Sequence, residues 1–272
     1  MLPNPLFASR LILLVLIVAF GKSLSAQFLF PESFVMIPLD TNRKIVGNVG
    51  GSFNQQTQIN VVTQFAVRAE VAKRIKSDVL TLVTNNQLIR DGAKNILGGG
   101  YFFARYRRKI PRVIYPEYAF QAQWKEVRGL QQRWSATANY RWRIKRNEKI
   151  TLAAAAGIIA EYEKWEYDGV PIEKRPADLT PVEVFNPRFN WYFSYDHTIS
   201  PKVWIDAAVY YQVRLGETLL SRERTGMHAR VGVRLSQNLS FMATWKGLYD
   251  KEPVVPVGKL WYNMNNELVF TF

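Results

Sequence analysis

The chain has 272 residues, with 36 Lys and Arg against 22 Asp and Glu, a net charge of +14, and no cysteine. The length suits a single β-domain, since barrels run past 200 residues as one unit. The missing cysteines exclude a disulfide scaffold, thiolate metal sites and a lipid-modified N-terminal cysteine. The positive balance raises nucleic acid as a partner class, but the charges are dispersed along alternating segments, which argues against it.

Residues 1–26 read as a secretory signal peptide. Arg10 precedes an apolar run from Leu11 to Phe20, followed by Gly21-Lys-Ser-Leu-Ser-Ala26. About ten apolar residues are too few to span a bilayer and fit the central region of a signal peptide. Cleavage is expected before Gln27, with a cut after Ser25 as the alternative. Loss of Arg10 and Lys22 lowers the net charge by two, to +12. The competing reading is a buried N-terminal helix. Residues 27–43 are expected to form a periplasmic N-terminal arm or a plug. No later segment approaches the ~20 apolar residues of a transmembrane helix.

From residue 44 the dominant period is two. In Val61–Val71, Val61, Thr63, Phe65, Val67, Ala69 and Val71 alternate with Val62, Gln64, Ala66, Arg68 and Glu70. In Arg133–Trp142, Trp134, Ala136, Ala138, Tyr140 and Trp142 alternate with Arg133, Ser135, Thr137, Asn139 and Arg141. Val203–Arg214 and Met227–Leu235 repeat the pattern. Such strict alternation is the strand signal. It predicts twelve strands, near residues 44–56, 59–74, 77–89, 94–108, 113–127, 131–144, 149–166, 184–198, 202–216, 223–236, 239–249 and 259–272. Many reach the ~9–11 residues that a tilted strand needs to cross a membrane. Their apolar faces often end in Trp or Tyr, as interfacial girdles do. The expected fold is therefore an all-β, up-and-down transmembrane barrel over residues 44–272. A soluble lipocalin-like barrel would show shorter strands and a more charged outer face.

An even strand count puts both termini on one side, expected to be the periplasm. The turns assigned there are tight: 75–76, 109–112, 145–148, 199–201 and 237–238. The long connections, 167–183, 217–222 and 250–258, fall on the opposite side, as in bacterial outer-membrane barrels. The loop Tyr167–Glu183, rich in Pro and charge, is expected to cap the mouth, bind a partner or simply lie on the surface. Basic clusters at 73–76, 105–112 and 141–149 are assigned to the periplasmic rim, either attracting anionic headgroups or lying solvated at strand ends. In the last strand Leu260, Tyr262, Met264, Leu268, Phe270 and Phe272 share one face. Phe270 and Phe272 look like the aromatic ending that barrel-insertion machinery reads.

Several stretches carry a family resemblance: Phe102-Phe-Ala-Arg-Tyr-Arg107 with Tyr115-Pro-Glu-Tyr-Ala-Phe120, Gly129-Leu-Gln-Gln-Arg-Trp134, the alanine-rich strand Leu152–Gly157 leading to Glu161, and Tyr249-Asp-Lys-Glu-Pro253 before a final strand. Over about residues 45–272 the chain resembles the salt-induced outer-membrane protein family, domain of unknown function 481. It departs where Asn54-Gln-Gln-Thr-Gln58 stands in place of a Gly-Asn-Thr turn. The resemblance implies an outer-membrane barrel expressed under osmotic or salt control, and no established substrate.

The face opposite the apolar one is expected to line the lumen. It carries Arg68, Glu70, Arg105, Glu117, Arg133, Arg141, Glu161, Glu163, Asp206, Arg214, His228, Arg230, Arg234, Lys246 and Glu267. Buried charges must pair or stay hydrated. Twelve strands give a lumen narrower than that of a 16–18-stranded porin. Two readings follow: an arginine-lined pore for small polar or anionic solutes, or a cross-lumen ion-pair network that closes and stiffens the barrel. Catalysis is not expected. The two histidines, His197 and His228, lack an outward Ser partner, and Glu163, Glu166 and Asp168 sit beside Lys164, Lys174 and Arg175 as a solvated loop would. No cofactor or metal is expected. The expected partners are outer-membrane lipid, lipopolysaccharide and the assembly machinery, with no nucleic acid and a monomeric state.

Overall fold

A computed structural model of the protein describes residues 44–57, 61–91, 94–109, 112–124, 129–216 and 222–272. The expected signal peptide and N-terminal arm lie outside the described residues. Twelve strands are present among those described: β1 (Ile45–Thr57), β2 (Val61–Ile75), β3 (Asp78–Asp91), β4 (Lys94–Arg107), β5 (Ile114–Trp124), β6 (Leu130–Arg146), β7 (Ile150–Trp165), β8 (Val182–Ser200), β9 (Val203–Arg214), β10 (Arg224–Arg234), β11 (Leu239–Asp250) and β12 (Leu260–Thr271). Each pairs antiparallel with its sequence neighbours, and β1 pairs with β12 to close the barrel. The alternation in the sequence thus placed every strand to within a few residues. The differences lie at strand ends, where β8 begins at Val182 and β11 runs to Asp250.

The closing seam is short. Asn48, Val49, Gly50 and Gly51 of β1 face Thr271, Phe270, Val269 and Leu268 of β12. Two further backbone bonds link Gly47 and Phe272, with N···O distances of 3.2 and 3.0 Å. A Cβ at Gly47 would stand 2.5 Å from the tip of the Phe272 ring, so the glycine lets that ring lie against the β1 backbone.

Successive residues point alternately out and in, and the burial follows. On the outside, Trp134, Tyr140 and Trp142 of β6 and Phe185, Phe189 and Phe193 of β8 are all exposed. Trp134 and Trp142 stand eight residues apart on one strand, about 27 Å along it. At the usual strand tilt this is about 20 Å of depth, close to the apolar band of an outer-membrane barrel. On the inside, the same strands bury Arg133, Asn139, Arg141, Arg188, Asn190 and Ser194. The polarity is inverted relative to a soluble sandwich, whose apolar residues face inward.

The end where β1 begins and β12 finishes, called below the end with the termini, has short connections, 76–77, 147–149 and 201–202 among them. Lys76 and Lys109 adopt left-handed backbone conformations in these turns, with φ of 55° each. Asp78 ties two turns together by accepting from the Lys109 amide at 2.8 Å and from the Tyr106 hydroxyl. The other end carries the long loops 166–181 and 251–259. A single 3-10 turn, Ile172–Lys174, lies in the first of them.

Candidate functional site in the barrel lumen

Three groups of charged side chains fill the interior, and each is assembled from several strands. The first lies beneath the long loops. Arg133 of β6 donates to Glu163 of β7 at 2.6 Å, and Arg188 of β8 donates to Glu161 at 3.3 Å. Arg224 reaches inward from β10, three strands from β7. It donates to Glu161 at 3.0 and 3.2 Å, to Glu163 at 3.4 Å and to Asp250 of β11 at 3.1 Å. Three arginines thus meet three carboxylates, and Glu163 is 0% exposed. Balanced, hydrogen-bonded pairing is what makes such burial tolerable.

The second group centres on Glu117 of β5. It accepts from Arg107 at 2.5 Å, from the Tyr192 hydroxyl of β8 at 2.8 Å and from Asn139 at 3.4 Å. Arg141 of β6 donates to the Tyr192 oxygen at 2.6 Å and to Ser194 at 2.9 Å. An amide line continues the network: Gln212 donates to Asn190 and Asn190 to Asn139, each at 3.3 Å. The Asn190–Asn139 bond passes from β8 to β6 over β7, where Gly157 pairs with both residues. A Cβ on Gly157 would lie 2.0 Å from the Ala138 carbonyl oxygen and 2.5 Å from the Asn139 amide oxygen. Glycine therefore leaves the space through which the line crosses.

The third group occupies the opposite wall. Arg230 donates to Asp206 at 2.7 Å, and His228 lies 3.2 Å from the same carboxylate. Arg68 of β2 pairs with Glu267 of β12 at 3.4 Å. Glu70 sits within electrostatic reach of Arg68, Arg230 and Arg105. Lys246 is within reach of Arg68, Glu267 and Arg230. Apolar side chains fill the space between the charged groups: Ala155, Tyr192, Ala208, Tyr210 and Leu248 form one cluster with Trp261 against it. Val83, Tyr101 and Phe103 form another.

One interior cavity, bordered by Glu117, Gln121, Asn139, Glu161, Tyr192 and Gln212, has a volume of about 40 Å³. That is room for about three water molecules. Above it, the mouth under the long loops is bridged. Val255 and Val257, from the connection between β11 and β12, are buried against Leu130 of β6 and Trp165 of β7. Since β12 stands opposite β6 in the strand order, this connection crosses the opening. Val170 of the loop 166–181 completes the cluster, and Arg175 holds that loop by donating to the Val170 carbonyl at 2.9 Å.

The expected lumen residues sort by depth. Arg68, Glu70, Arg105, Glu117, Arg133, Arg141, Glu161, Asp206, His228 and Arg230 are buried inside. Lys246 and Arg214 are half-buried, and Arg234 is exposed at the rim of the end with the termini. Two assignments change. The basic stretch 105–112 is not a rim throughout, because Arg105 and Arg107 point inward toward Glu117. Glu163, read both as a lumen residue and as part of a solvated loop, is a buried lumen partner of Arg224, and Asp250, assigned to the long connection, is the last residue of β11 and pairs with Arg224 as well. Of the residues missed by the sequence reading, Arg107, Arg224 and Asp250 share the parity of recognised inward positions on their strands, whereas on β8, which holds Arg188, no inward position had been named. For those three, that parity was the available signal. Among the described residues no cluster of His, Asp and Glu is arranged to hold a metal ion.

Among solved structures, the chain is similar to the NanC porin, with 10% identity, coverage of 83% of this chain and 98% of that one, and a TM-score of 0.47. It is similar to an outer membrane channel from Pseudomonas putida F1, with 9% identity, coverage of 90% and 100%, and a TM-score of 0.49. It is also similar to the translocator domain of the autotransporter NalP from Neisseria meningitidis, with 9% identity, coverage of 84% and 87%, and a TM-score of 0.48. No curated protein matches. A family profile matches residues 54–254, from within β1 to the connection before β12. The chain belongs to that family, described as "Protein of unknown function, DUF481".

Proposed function

We propose that this protein is an outer-membrane β-barrel with both termini in the periplasm and a lumen closed by its own ion pairs, serving as a structural component of the membrane rather than as an open pore. The membrane reading is supported by the apolar, aromatic-edged exterior around a charged interior. A water-soluble barrel would bury those side chains the other way round. The assignment of sides rests on the short connections at the end with the termini and the long ones opposite.

The observation that carries the closed reading is Arg224. It reaches across from β10 to Glu161 and Glu163 on β7, below a mouth bridged by Val255 and Val257. A solute would have to break this network and displace the apolar cluster above it. The test is osmotic swelling of liposomes containing the purified protein, with sugars and amino acids of increasing size. Swelling should match that of protein-free liposomes; size-dependent uptake of small solutes would overturn the proposal.

A further inference from the structure

The outer wall is not evenly covered. On the lipid-facing side of β7 the residues at positions 154 and 156 are alanines. Their cross-strand neighbours are all aromatic. Ala156 pairs with Tyr140 of β6 and Trp191 of β8, and Ala154 with Trp142 and Phe193. Two small residues between two aromatic rows make a trough. Val209 and Tyr211 of β9 extend one wall, and Tyr211 stacks on Trp191 with ring centroids 4.6 Å apart. The trough has a volume of about 490 Å³, within the roughly 300–1,000 Å³ of sites that hold single small ligands.

The end of the trough nearest the termini is polar and cationic, and a bulge makes it so. Arg141 and Arg143 point toward the lumen side, and unbroken alternation would send Lys145 there too. The register shifts between Arg143 and Lys145, so that Lys145 pairs with Leu152 instead. Leu152 shares the outward face of Ala154 and Ala156. The bulge therefore places the exposed Lys145 on the outward face, beside Leu152 and two positions from Ala154 along that face; re-aiming a side chain in this way is a recurrent use of bulges. On the far side of Leu152 stands Tyr195, whose hydroxyl meets His197 at 2.9 Å. Arg146 at the end of β6 and Lys149 in the adjoining turn are exposed, with Glu148 the one acid among them.

We infer that this trough is a binding site for one anionic phospholipid, with an acyl chain lying over Ala154 and Ala156 and the phosphate held by Lys145 beside Tyr195 and His197. The apolar floor alone would accept any acyl chain. The outward cation at headgroup level supplies the charge complementarity that selects an anionic one. The inference rests on the membrane reading above, and with the termini in the periplasm the trough opens into the phospholipid leaflet.

The experiment is native mass spectrometry of the purified full-length protein titrated with phosphatidylglycerol or phosphatidylcholine. Flotation of each variant with vesicles of the same two lipids reports separately on membrane insertion. The parent should retain one phosphatidylglycerol at least tenfold more tightly than phosphatidylcholine. Ala154→Leu with Ala156→Leu should fill the trough and weaken retention of both lipids at least tenfold. Lys145→Glu with Arg146→Glu, at the exposed end of β6, should abolish the preference while leaving residual binding. All variants should float. Equal retention of the two lipids by the parent, or unchanged binding in both variants, would overturn the site while leaving the membrane reading intact. A parent that fails to float would remove both. A dimer that disappears in the alanine variant would identify the occupant as a second copy of the chain and likewise overturn the lipid assignment.

Discussion

Arg224→Leu is the sharpest probe of the lumen network. The guanidinium donates to Asp250, Glu161 and Glu163 over distances of 3.0 to 3.4 Å. Its loss leaves three buried carboxylates facing Arg133 and Arg188 only. Removing one partner of a buried ion pair costs about 3–5 kcal/mol, because the remaining charge stays desolvated without full compensation. The upper half of that range is expected here, since three acceptors lose a donor at once. Pairing the change with Glu161→Gln restores a balance of two arginines and two carboxylates. The double variant should regain about 1–3 kcal/mol relative to additive losses, the size of coupling found between contacting residues. The assay is urea unfolding of the barrel in liposomes, followed by the mobility difference between folded and unfolded chains on electrophoresis. A loss below about 1 kcal/mol in the single variant, with additive behaviour in the double, would refute the view that this group is a desolvated, mutually dependent unit.

Other consequences follow from the same geometry. Gly157→Ala places a Cβ 2.0 Å from the Ala138 carbonyl and breaks the Asn190–Asn139 line; the same unfolding assay should register a loss of about 1–3 kcal/mol, the cost of strain plus stranded buried amides. Tyr192→Phe removes the hydroxyl that joins Arg141 to Glu117 and should cost about 1–3 kcal/mol; an unchanged midpoint would show the link to be dispensable. Gly47→Leu should collide with the Phe272 ring at the seam and reduce the folded fraction after insertion, read as the yield of the fast-migrating form. Val255→Asp should detach the connection that crosses the mouth and expose the loop 166–181 to limited proteolysis, with the strands remaining protected. Because the lumen pairs are buried, their contribution should resist screening; an unfolding midpoint that falls steeply between low and about 1 M salt would indicate a hydrated lumen instead.

The barrel was legible in the sequence because one physical constraint governs nearly every residue in it. Lipid outside and charge inside force a period of two, so Trp134, Tyr140 and Trp142 against Arg133, Asn139 and Arg141 already identified both faces of β6. The same parity gave the inward charges but not their partners. Whether Arg224 meets Glu161 depends on the tilt and stagger of strands three places apart, which no local pattern records. Bulges were invisible for a related reason: the slip after Arg143 changes which face Lys145 occupies, and nothing in Arg-Ile-Lys-Arg marks it. Asp250 read as a loop residue because it opens an Asp-Lys-Glu-Pro stretch, although its backbone still pairs with Arg224. The bridging of the mouth by Val254, Val255 and Val257 was hidden in the same way, since apolar residues in a loop announce burial only once the opposite wall is known.

The claim that the lumen is closed is tested most directly by recording single-channel current across a planar bilayer containing the purified full-length protein, in potassium chloride, at both polarities. The account predicts a flat baseline, with no unit conductance steps beyond those of the bilayer alone. Regular, reproducible steps, with a reversal potential favouring anions in a salt gradient, would contradict it and restore the reading of an arginine-lined pore.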